Sequence, residues 1–87
     1  MDPGNAEALQ PLYDTLQRYA GWLDRARTSV MVRVEVQALR AVIDTDTDPS
    51  PLLNALETNI ARLPSGELWT MLRVAAGRMR RAFTQSR

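Results

Sequence analysis

Four arginines, Arg18, Arg25, Arg33 and Arg40, recur at gaps of seven, eight and seven residues. A guanidinium is a planar, permanently charged fork that grips phosphate or carboxylate through two parallel hydrogen bonds. The chemistry it supplies is anion recognition rather than bond making. On one continuous helix the four would share a sector of about 80° and span ~33 Å. That is close to one turn of a nucleic-acid duplex, ~34–36 Å in the B form. Ser29 and Trp22 fall in the same sector and add a hydroxyl donor and a stacking surface. Acids are sparse there: Asp14 lies near the edge, and Asp24 and Glu35 point elsewhere. A self-neutralising surface would interleave both signs. The plain alternatives are a solvated polar face and, for Trp22, a contact between two copies of the chain. Arg27 falls on the apolar side and reads as structural, paired with Asp24 or reaching past apolar neighbours to water.

A second basic group closes the chain. "GRMRRAFTQSR" carries Arg73's near neighbours Arg80 and Arg81. Positive charge suits a helix C-terminus through the dipole, so a structural role is sufficient. As phosphate ligands, Arg73, Arg80 and Arg81 would extend the first row. The candidate nucleic-acid-binding set is therefore Arg18, Arg25, Ser29, Arg33, Arg40, Arg73, Arg80 and Arg81.

Other chemistry has little to stand on. There is no histidine and no cysteine, which removes the commonest general base, the thiolate nucleophile and the usual transition-metal ligands. No glycine-rich phosphate loop and no paired carboxylates mark a catalytic site. "DTDTDPSP" begins like a calcium loop, but Pro49 stands at the glycine position and Ala55 at the bidentate glutamate position. It reads as an acidic turn that would repel a phosphate backbone. The expectation is a non-enzyme with no cofactor, no metal and no small-molecule substrate.

The composition agrees with this. All eleven basic residues are arginine, against ten acids, net +1. A GC-rich gene, or one overlapping another frame, would give the same bias. The charge is uneven: residues 1–43 are neutral, 44–67 carry five acids against Arg62, and 68–87 carry five arginines and no acid. A basic end points to an anionic partner. No apolar run approaches a membrane span, and the first residues lack the pattern of a signal peptide. A soluble cytoplasmic protein is expected, in host cytoplasm if the source is viral.

These side chains need elements to hold them. Asp2 with Pro3, or Asn5 one turn later, can start a helix. Leu9, Leu12, Leu16, Tyr19, Leu23, Ala26, Val30 and Val34 then follow at steps of three and four. The spacing predicts one long helix over about 5–43, which Gly21 weakens without breaking. After the acidic turn, Ser50 caps and Pro51 opens a helix to about 63, with Leu52, Leu53, Leu56, Ile60 and Leu63 inward. "LPSG" interrupts, with Ser65 as a cap. A last helix over about 66–83 buries Leu68, Leu72, Ala75, Met79 and Phe83. No internal repeat is legible. "VMVRVEVQ" (30–37) also alternates like a strand. Such a strand would need a second copy, in the manner of a ribbon-helix-helix DNA-binding dimer, which "SVMVRVEVQALRAVI" plus "SPLLNALETNIARL" is similar to in outline. The predicted fold is a single all-α domain over 1–87: a long amphipathic helix packed as a hairpin on two shorter ones. So small a core makes a homodimeric helical bundle the expected state.

One long amphipathic helix, a turn, further helices and an outward arginine row resemble the small nodavirus suppressors of RNA silencing. The resemblance lies in pattern and in no diagnostic motif. It implies an all-α homodimer lying along double-stranded RNA, reading shape and phosphates without sequence preference and shielding the duplex from processing nucleases. In a different class, "DPSPLLNALETNIARL" is similar to the turn of type III secretion needle subunits. A helical hairpin of this kind also suits an adaptor or chaperone docking a partner helix.

Overall fold

The computed structural model describes residues 3–45 and 47–85, with side chains over 7–45 and 47–84. Four helices follow one another: α1 (Pro3–Gly21), α2 (Arg27–Thr45), α3 (Ser50–Ala61) and α4 (Glu67–Gln85). Each packs on its neighbours in the order α1–α2–α3–α4 and back to α1, around one shared core. The result is an up-down-up-down bundle of 37 × 19 × 18 Å, whose short loops force antiparallel neighbours.

The chain is all-α as expected, but the long helix over 5–43 is two helices, reversed at residues 22–26. A 39-residue helix would extend ~58 Å and leave most of its apolar stripe without a partner. Doubling back buries two stripes against each other: Leu9, Tyr13, Leu16 and Ala20 on α1, and Val32, Val36, Leu39 and Ile43 on α2. The registers of the two stripes are independent. Val30 and Val34, which a continuous helix would bury, are exposed at 42% and 57%.

Residues 30–37 are helical, and no strand occurs among the described residues. The ribbon alternative therefore has nothing to pair. α3 and α4 lie close to the expected ranges, with Leu53, Leu56, Ile60, Leu63, Leu72, Ala75, Ala76 and Met79 buried and Leu52, Leu68 and Phe83 packed at the edge. Their starts differ in detail. Pro49 holds the cap position of α3, and Asp48 accepts the Ser50 N–H at 3.1 Å, so Ser50 is the first helical residue. Gly66, not Ser65, precedes α4 and accepts the Thr70 N–H at 3.0 Å. α1 begins at Pro3, while Asp2 and Asp46 lie outside the described residues.

The fold contains a repeat that the sequence hides. Shifting by 40 residues lays α1–loop–α2 on α3–loop–α4. In the first loop the N–H groups of Trp22, Leu23 and Val30 donate to the carbonyls of Tyr19, Ala20 and Ala26. In the second, those of Arg62, Leu63 and Thr70 donate to Asn59, Ile60 and Gly66. The shift preserves Pro11/Pro51, Leu12/Leu52, Leu16/Leu56, Leu23/Leu63, Met31/Met71, Arg33/Arg73, Val34/Val74 and Arg40/Arg80. The molecule is two helical hairpins packed face to face, where the needle-subunit outline needs only one.

Candidate nucleic-acid interface

The reversal at residues 22–26 decides where the arginines go. α1 closes with a tightened turn, the Trp22 and Leu23 N–H groups reaching back three residues at 3.1 Å. Asp24 then starts α2: its Oδ1 accepts the Ala26 N–H at 3.0 Å and the Ser29 hydroxyl at 2.6 Å. Those hydrogen bonds, Ser29 first and Ala26 second, hold the Asp24 carboxyl below its ordinary value, with the Arg33 charge adding to them. Arg33 folds back from α2 and donates through Nη1 to the carbonyls of Leu23 at 3.0 Å and Asp24 at 2.7 Å. It satisfies two carbonyls of the loop between α1 and α2.

The single row therefore does not exist as a row. Arg18 lies on α1, Arg25 in the loop, and Arg33 and Arg40 on α2, which runs the opposite way. Ser29 is buried and spent on Asp24, and Arg33 is spent on the loop carbonyls. Arg40 spans to α1, with Nε 3.3 Å from Asp44 and Nη1 3.3 Å from Gln10, and its guanidinium carbon lies 5.9 Å from the Tyr13 ring centre. Arg80, its repeat mate, grips both Glu57 oxygens and donates to Asn54 at 2.7 Å. Glu57 raises the Arg80 pKa further. Arg73 stacks over Trp69 at 4.8 Å and Arg81 stands exposed on α4. Of the eight candidates, Arg18, Arg25, Arg73 and Arg81 carry no side-chain hydrogen bond or ion pair among the described residues, and of these four only Arg73 is held, by its stack on Trp69.

The structure adds two that the sequence reading missed. Arg27, expected on the apolar side, is exposed as the first residue of α2, and Arg62 is exposed at the C-cap of α3. Neither side chain has a hydrogen bond or ion pair among the described residues. Antiparallel packing brings the α1–α2 and α3–α4 loops to the same end of the bundle. That end holds Arg18, Arg25, Arg27 and Arg62 against Glu67 and the already engaged Asp24. Trp22, 61% exposed, stands among them, its ring 5.6 Å from that of Tyr19. Beside Trp22 a hollow of about 260 Å³ opens between the loops, lined by Leu23, Leu63, Pro64, Leu68 and Trp69 among others. The opposite end carries Asp44 and Asp48, with Arg81 near the finish of α4. The one sequence signal for this grouping was Asp24 itself, a residue type favoured just before a helix.

Among the described residues no cluster of acidic side chains could hold a metal ion, and no helix is long and apolar enough to cross a membrane. Comparison with known protein families, characterised proteins and solved structures finds no match. In the outline that resembled the nodavirus suppressors, the one long helix is replaced by α1 and α2, while the all-α character and the exposed arginines remain.

Proposed function

We propose that the chain binds nucleic acid without sequence preference through its loop-bearing end, double-stranded RNA being the polymer to which the resemblance points. One observation supports this reading: four arginines whose side chains have no hydrogen bond or ion pair among the described residues, Arg18, Arg25, Arg27 and Arg62, share one end of the bundle with an exposed Trp22. Unpaired guanidinium groups are free to take phosphate oxygens in bidentate contacts. At a duplex end or an unpaired stretch the Trp22 ring offers a stacking surface, worth about 1–3 kcal/mol per base in single-strand binding. Nothing at this end reads base edges, so affinity comes from phosphate neutralisation and is steeply salt-dependent. Coverage of a duplex in this way would shield it from nucleases.

A second reading is favoured by the groove between α1 and α4, about 250 Å³ and lined by Leu12, Tyr19, Met71, Val74 and Arg78. An amphipathic helix with an acidic residue opposite Arg78 would fit it, which is the adaptor alternative. Gel shifts with duplex RNA, single-stranded RNA and duplex DNA at two salt concentrations separate the two. A duplex-RNA shift that fades with salt supports the first reading. No shift with any of the three at low salt rejects it in favour of the adaptor.

A further inference from the structure

The outward side of α2 is unusually free of charge for a surface helix. Val30, Met31 and Val34 are exposed at 42%, 47% and 57%. Ala38 and Ala41 continue the same side, also exposed. Arg27 stands at its start, beside the basic loop end, and Asp44 and Thr45 at its finish, beside the acidic turn with Asp48. Large apolar residues thus occupy the first half of the stripe and small ones the second, with opposite charge at the two ends.

Such a stripe is complementary to itself reversed. We infer that two copies of this chain pair through the outward side of α2, antiparallel, about a two-fold axis that crosses between the helices at the level of residue 36. A two-fold contact uses the same patch twice. Here it sets Val34 against Ala38 of the second copy, Met31 against Ala41, and Arg27 near Asp44. Large side chains meet alanines that let the helices approach, and Arg27 of each copy comes beside the other's Asp44, which also carries its own Arg40. Val30, Met31 and Val34 lose their water, which is the driving term. The contact is of modest size, in the class of interfaces that assemble weakly, so the dimer forms with increasing concentration. This inference is separable from nucleic-acid binding: the paired face is the side of α2, Arg27 is the one loop-end arginine it shares, and the antiparallel arrangement leaves Arg18, Arg25 and Arg62 at the two ends of the particle.

The repeat supplies an internal control. Val74 is the mate of Val34, 48% exposed on the far corner of the bundle. Sedimentation equilibrium of the full chain over a concentration series is expected to move from the 9.8 kDa monomer to twice that mass. Val34→Asp is expected to weaken association at least tenfold, a loss of about 1.4 kcal/mol or more, while Val74→Asp leaves it unchanged. Both sites are exposed, so both variants keep the wild-type circular dichroism. A monomer at every concentration, a dimer that survives Val34→Asp, or one that Val74→Asp also dissolves overturns the assignment.

Discussion

The guanidinium of Arg33 donates to the backbone carbonyl of Asp24 at 2.7 Å, nine residues back along the chain. The same nitrogen holds the Leu23 carbonyl at 3.0 Å. This residue, read from spacing as a phosphate ligand, is the clamp of the turn that makes a four-helix bundle. Its repeat mate Arg73 stacks on Trp69 instead. The difference traces to Asp24 and Ser29, whose counterparts in the second loop are Pro64 and Trp69.

Arg33→Ala should therefore destabilise the fold. Hydrogen bonds to a charged donor are worth about 1.5–3 kcal/mol, and the lost carbonyl partners are only part-buried, so about 2 kcal/mol is expected. Arg25→Ala should change stability by less than about 0.5 kcal/mol. Urea titrations of both variants check this, and equal effects would contradict the clamp.

Asp24 gives the turn an acid limit. Its pKa is lowered in the folded chain, chiefly by the Ser29 hydroxyl and then the Ala26 N–H. The contribution is fully present above the unfolded-state value and is lost as pH falls through the lower folded-state value. Thermal melts between pH 2 and 6 should show wild type losing more stability on acidification than Asp24→Asn. Parallel losses would remove Asp24 from the account.

The two-helix reading makes opposite predictions for two apolar residues on the stripe first read as continuous. Leu16 is fully buried, so Leu16→Ala should cost about 2–5 kcal/mol. Val34 is 57% exposed, so Val34→Ala should leave the stability of the monomer within about 0.5 kcal/mol. Denaturation at low concentration, where any dimer is dissociated, compares them.

That pair also shows what was legible. Leu9, Leu16 and Leu53, Leu56, Ile60 lie inward as their three- and four-residue steps demand, and Pro51 and "LPSG" mark the bounds of α3. The break at 22–26 carries no proline, and Gly21 alone does not end a helix. What ends α1 is a set of contacts between residues five to ten apart: Ser29 to Asp24, and Arg33 to Leu23 and Asp24. Spacing on one assumed helix does not reveal them. Val30, Val32, Val34 and Val36 satisfy both a strand and a helix, because residues four apart share a face in either. The repeat stayed hidden because most aligned positions differ, as Tyr13/Leu53 and Val36/Ala76 do while staying buried. The arginine grouping followed the break: once the helix reversed, Arg27 moved from the apolar side to the surface and Arg62 joined Arg25.

The central claim is that unpaired loop-end arginines contact phosphates. It is tested most directly by the salt dependence of duplex-RNA affinity for wild type and for Arg25→Ala/Arg62→Ala. Each phosphate contact removed should reduce the slope of log affinity against log salt by roughly one, with the slope losing about two units and the fold intact. An unchanged slope, or no duplex binding by wild type at low salt, contradicts it.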